Sequence, residues 1–111
     1  MTSKKAGSSL IKMFLKMYNI SYTKEAKQKI EKLSIKKKRQ IKEAIERIAQ
    51  NPRMGKRLTN ELAGLLSYRS GDYRIIYRLY HEKVLIIILT VEHRKSVHEK
   101  LRRKKWKNQK F

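Results

Sequence analysis

There is no cysteine in these 111 residues, which excludes a disulfide framework, a thiolate metal site and thiol chemistry. Acid is scarce as well: one aspartate, Asp72, and eight glutamates scattered singly along the chain. A metal-dependent nuclease needs several carboxylates converging on Mg²⁺, so neither a metal nor another cofactor is expected. No apolar run approaches the roughly 20 residues of a bilayer span. Leu10–Leu15 is interrupted by a lysine and lacks a clear cleavage site, a poor match to a secretory leader. The expected location is the cytoplasm, with no membrane partner.

What the chain has in excess is positive charge. Thirty Lys and Arg against nine acids leave +21. A compact domain carrying that charge repels itself unless a polyanion neutralises it, and nucleic acid is the leading candidate. With 40% hydrophobic residues the chain can still build one modest core.

The patterning divides the chain into three. Residues 1–16 carry four lysines, no acid and Gly7-Ser8-Ser9, and read as a flexible basic extension. Residues 17–101 read as the folded domain and 102–111 as a basic tail. Within the domain, Tyr18, Ile20 and Tyr22 alternate with polar residues as in a half-buried strand. Thr23 caps a helix with Ala26, Ile30 and Leu33 on one face, and Ser34 caps a second with Ile41, Ala44, Ile45, Ile48 and Ala49 inward. Asn51-Pro52 ends it. Leu65–Arg69 and Tyr73–Tyr80 read as strands around Ser70-Gly71-Asp72. Val84–Val91, apolar and β-branched, reads as a strand covered on both faces. Ser96 caps a last helix with Val97 and Leu101 inward. The expected fold is α+β, in the order β-α-α-β-β-β-α, with the helix hairpin on a mainly antiparallel sheet.

Pairing Val84–Val91 back on Tyr73–Tyr80 puts Arg74 beside residues 89–91. Arg94 then returns near Arg74 and the Gly71 turn, Arg69 lies across that turn, and His98 follows Arg94 at i+4. Arg69, Arg74, Arg94 and His98 are expected to gather at one end of the sheet. Arginine binds phosphate bidentately without deprotonating, and histidine changes charge near neutrality. This is the inventory that metal-free RNA cleavage by 2′-OH attack requires.

Gly71-Asp72-Tyr73-Arg74-Ile75-Ile76-Tyr77-Arg78, followed by Val91-Glu92-His93-Arg94-Lys95-Ser96-Val97-His98, resembles the RelE/ParE superfamily of toxin–antitoxin toxins. The resemblance runs from about Tyr18 to Leu101. It implies a RelE-like fold and, in the RelE branch, ribosome-dependent cleavage of mRNA in the A site, silenced by an acidic or amphipathic antitoxin that wraps the toxin. By position, Arg74 matches the arginine that stabilises the transition-state phosphate, Arg94 the arginine after the last strand, and His98 the place of a catalytic tyrosine or histidine. One departure stands out: where the best-known RelE has two strand lysines, this chain has Leu65 and Ser67. Arg69 or Lys56 is then the candidate substitute. The ParE branch, which inhibits DNA gyrase without cleaving RNA, is the competing reading, and a non-catalytic basic RNA-binding protein is the third.

The expected docking residues for RNA and ribosome are Lys36, Lys37, Lys38 and Arg39 at the start of the second helix, Lys56 and Arg57, and Tyr68 as a stacking platform. Arg102, Arg103, Lys104 and Lys105 extend them in the C-terminal stretch, where residues 95–111 carry eight basic residues and one acid, net +7.

Overall fold

A computed structural model describes residues 17–95. The N-terminal extension, the helix expected from Ser96, His98 and the basic cluster Arg102–Lys105 lie outside the described residues.

Two helix caps fall where expected. The Thr23 hydroxyl accepts from the Ala26 N–H and opens α1 (Lys24–Glu31); the Ser34 hydroxyl accepts from the Lys37 N–H and opens α2 (Ile35–Gln50). The buried residues of α2 are Ile41, Ala44, Ile45, Ile48 and Ala49, the stripe read from the sequence. Five strands follow the order β1-β5-β4-β3-β2 across one sheet: β1 (Asn19–Tyr22), β2 (Lys56–Arg57), β3 (Leu65–Ser70), β4 (Tyr73–Tyr80) and β5 (Leu85–His93). β1 runs parallel to β5 and every other pair is antiparallel. No helix among the described residues is long and apolar enough to cross a membrane.

The helices cover one face of the sheet. There Ile41, Ala44, Ile45 and Ile48 meet Leu66, Ile75, Tyr77, Ile86, Ile88 and Val91. A smaller cluster of Leu65, Ile76, Ile87 and Leu89 occupies the other face, with Leu58 and Leu62 packed on it. β5 is buried from Ile86 to Glu92 because both faces carry apolar neighbours, as its unbroken hydrophobic run implies. Among the described residues Tyr77 is the largest fully buried side chain. Its hydroxyl donates to the Pro52 carbonyl at 2.6 Å and accepts from the Gly55 N–H at 3.1 Å, tying the end of α2 to β4. A Cβ at Gly55 would fall on that hydroxyl.

Three details differ from the sequence reading. β2 is an additional edge strand of two residues, too short to show a period. Val84 does not begin β5. It closes a 3₁₀ turn (His81–Lys83) at φ 50°, in the left-handed region that β-branched residues avoid. Finally, Ile76 pairs with Thr90 but Tyr77 pairs with Ile88, so Leu89 is an extra residue in β5. That bulge shifts the register by one, and Arg74 lies opposite Glu92 rather than beside 89–91.

Candidate functional site

The site is organised by the β3–β4 turn. Gly71 adopts φ 60°, which the first residue of a two-residue hairpin turn can require, and Gln40 of α2 packs over it. Strand alternation then puts Leu65, Ser67 and Arg69 of β3 on the same face as Arg74, Ile76 and Arg78 of β4. The helices leave this face uncovered over β3 and β4, while α1 reaches Thr90 and Glu92 at the end of β5.

Arg69 and Arg74 are direct cross-strand partners. Arg74 is half-buried, and its Nη1 donates to the Oγ of buried Ser67 at 3.2 Å. Arg69 is exposed, with Nε donating to the Gly71 carbonyl at 3.4 Å. The Arg94 N–H donates to the Asp72 carbonyl at 2.8 Å, bringing the end of β5 to the same turn. Its Nε lies 4.0 Å from the Asp72 carboxylate, but at 55% and 57% exposure that pair is weak. Arg69, Arg74 and Arg94 therefore share one end of the sheet.

Lys56 belongs with them by register. It pairs with Ser67, so it stands on the same face, across Ser67 from β4. Arg57 pairs with Leu66 and takes the opposite face. Tyr68 is also on the helix side: it packs on the main core, and its hydroxyl accepts from Arg47 Nε at 3.2 Å. That bond raises the Arg47 pKa. Tyr68 thus does not share a face with the arginines. Lys36, Lys37, Lys38 and Arg39 open α2 with no acid in its first turn, at the positive end of the helix dipole. This helix start lies near the Gly71 turn: Gln40 Nε2 donates to Ser70 Oγ at 3.4 Å, and Lys37 Nζ sits 5.9 Å from the centre of the Tyr73 ring. His93 packs edge-on against Tyr73 at 5.4 Å.

Two participants were not singled out by sequence reasoning. Ser67, read only as a departure from a lysine pattern, holds Arg74. Glu92, the cross-strand partner of Arg74, is 3% exposed and accepts from Lys29 Nζ at 3.2 Å and from the Thr90 hydroxyl at 2.6 Å. Its carboxylate is thereby engaged by α1. Placing Glu92 beside Arg74 required knowledge of the Leu89 bulge.

Among the described residues no group of three His, Asp or Glu side chains could hold a metal ion. The arrangement can bind a phosphate and neutralise charge developing on it. A helix hairpin on a five-stranded sheet with arginines around the β3–β4 turn defines a class, the small RelE-like α+β proteins.

Residues 20–98 match the family described as ParE toxin of type II toxin–antitoxin system, parDE. The chain belongs to this family, within the RelE/ParE superfamily. Toxin RelG of Mycobacterium tuberculosis is 34% identical over 85 residues, covering 75% of this chain and 98% of that protein. A chain of the toxin–antitoxin complex RelBE2 from the same organism is 37% identical with a TM-score of 0.65, over 69% of this chain and 98% of that one. The isolated Escherichia coli RelE toxin shares the fold at 19% identity and a TM-score of 0.61, over 78% and 97%. The family description carries ParE's name, whereas RelG and the RelBE2 chain support the RelE-type branch.

Proposed function

We propose that this toxin is a ribosome-dependent endoribonuclease that cleaves mRNA in the A site by metal-independent 2′-OH attack. The observation that carries the reading is the convergence of Arg69, Arg74 and Arg94 on the uncovered end of the sheet. Arg74, oriented by Ser67, and Arg94 bind the scissile phosphate and neutralise its developing charge, with Arg69 assisting and Lys56 supplying a further cation across Ser67. His98 moves protons between the attacking and departing oxygens. The ribosome holds the RNA in a reactive pose, and the basic start of α2 and the C-terminal cluster dock on ribosomal RNA. The site of action is the cytoplasm.

The natural inhibitor is a cognate antitoxin, the kind of partner with which the RelBE2 toxin was crystallised. An apolar groove of about 370 Å³ between the helices, lined by Tyr22, Ile30, Ile41 and Ile45 and edged by Lys27, Lys38 and Lys42 against a single acid, Glu31, suits an amphipathic segment of net negative charge.

A translation extract tests the nuclease. Cleavage should require ribosomes and fall by about 10²–10³-fold in Arg74→Ala and steeply in His98→Ala; equal cutting by these variants rejects the mechanism. The absence of lysine at Leu65 and Ser67 favours a second reading, gyrase inhibition. Gyrase-dependent DNA breaks with intact mRNA would select it.

A further inference from the structure

Some way from the arginine row, a cleft of about 560 Å³ opens where β2 and the end of β4 meet the turn after α2. Its lining includes Arg53, Arg57 and His81 around leucines such as Leu66 and Leu79. Leu79 is five residues along β4 from Arg74, roughly 17 Å at strand rise, and points to the other face of the sheet. The cleft is therefore separate from the site proposed for RNA cleavage.

The polar groups share one character: among the described lining residues there is no acid. Neither the Arg53 nor the Arg57 guanidinium has a hydrogen-bond or ion-pair partner among the described residues, and both are exposed. The imidazole of His81 is held edge-on to Tyr18, with Nδ1 3.1 Å from the Tyr18 hydroxyl. When that hydroxyl donates, the ring proton sits on Nε2, which becomes a third donor. A single carboxylate is satisfied by one guanidinium fork and would leave the second arginine and the imidazole unmatched. A phosphomonoester offers three oxygens and a charge near −2, which matches all three groups. The leucine walls call for a largely apolar or planar body attached to that phosphate, and the volume lies within the range of small-molecule sites.

We infer that this cleft binds a nucleoside monophosphate or an equivalent terminal nucleotide, its phosphate on Arg53, Arg57 and His81 and its base against the leucines. The inference concerns binding only and does not depend on the nuclease reading.

The test is amide-resolved NMR titration of the full chain with 5′-AMP, inorganic phosphate and adenosine at physiological salt. AMP should shift residues 53–58, 64–66 and 79–81, more strongly than phosphate and far more strongly than adenosine. Arg53→Gln with Arg57→Gln should weaken AMP at least tenfold, whereas Arg74→Ala should leave it unchanged. Shifts at Arg69, Arg74 and Arg94 with none at residues 53–58, 64–66 and 79–81 would overturn the assignment. So would equal weakening by Lys36→Gln with Lys38→Gln, the mark of diffuse charge attraction, or stronger binding of an acidic peptide than of AMP in the cleft.

Discussion

Arg69 and Arg74 face each other directly across β3 and β4, two guanidiniums on neighbouring strands of the uncovered face. Like charges in that relation destabilise a sheet by up to about 1 kcal/mol. A protein carrying +21 has little reason to add such a pair for stability, and a bound phosphate would reverse the sign of the interaction. Replacing exposed Arg69 with threonine should therefore raise the unfolding free energy by a few tenths of a kcal/mol to about 1 kcal/mol, read as a slightly higher urea midpoint. The same variant should cleave mRNA more slowly. Arg74→Ala should lower the rate by about 10²–10³-fold, as loss of a preorganised donor does. Urea unfolding and extract cleavage on the same preparations check both halves.

The Tyr77 hydroxyl is the polar tie between β4 and the turn after α2. Tyr77→Phe leaves the Pro52 carbonyl and Gly55 N–H without this partner, and should destabilise by about 1–3 kcal/mol. Gly55→Ala should also destabilise, because the added methyl meets the same hydroxyl. Thermal unfolding of both variants checks this.

Burial pushes the Tyr77 phenol from 10.0 up to about 12. The unfolded chain therefore releases this proton first as pH rises. The resulting stabilisation is intact below pH 10 and is lost as pH climbs from 10 through 12. The advantage of the parent over Tyr77→Phe should narrow across that window, measured as urea midpoints at pH 9, 10 and 11. A constant gap contradicts the assignment.

Lys29 and Glu92 join α1 to the end of β5, with the carboxylate almost wholly buried. Lys29→Met removes the cation and should cost about 2–3 kcal/mol, somewhat less than for a fully buried pair because Lys29 is partly exposed. Adding Glu92→Gln should recover part of the loss. A double-mutant cycle measures the coupling.

Val84 holds φ 50° at 38% exposure, a strained position with little burial to compensate it. Val84→Asn should stabilise by about 0.5–1 kcal/mol, since asparagine tolerates the left-handed region. The melting temperature should rise while mRNA cleavage stays unchanged.

The helical layer was legible because its signals are local: hydroxyl caps at Thr23 and Ser34, and an isoleucine–alanine stripe that only a helix brings to one face. β3 and β4 were legible from alternation around a glycine turn. β2 was not, since two residues carry no period. The Leu89 bulge was invisible inside a uniformly apolar run, where any register buries the same kind of side chain. That hid Glu92 as the neighbour of Arg74. The gathering of Arg69, Arg74 and Arg94 could be counted from the Gly71 turn, which tolerates a one-residue shift in β5. The faces of Arg57 and Tyr68 depended on pairing with β2 and on packing against α2, information no single segment holds.

On the proposed function, this arginine-lined end cuts mRNA on the ribosome. Primer extension on mRNA from translating ribosomes, exposed to the parent or to Arg74→Ala, tests it most directly. Discrete stops within the coding sequence are expected for the parent, and stops weaker by about 10²–10³-fold for the variant. Full-length extension with the parent, or identical stops with Arg74→Ala, would contradict it.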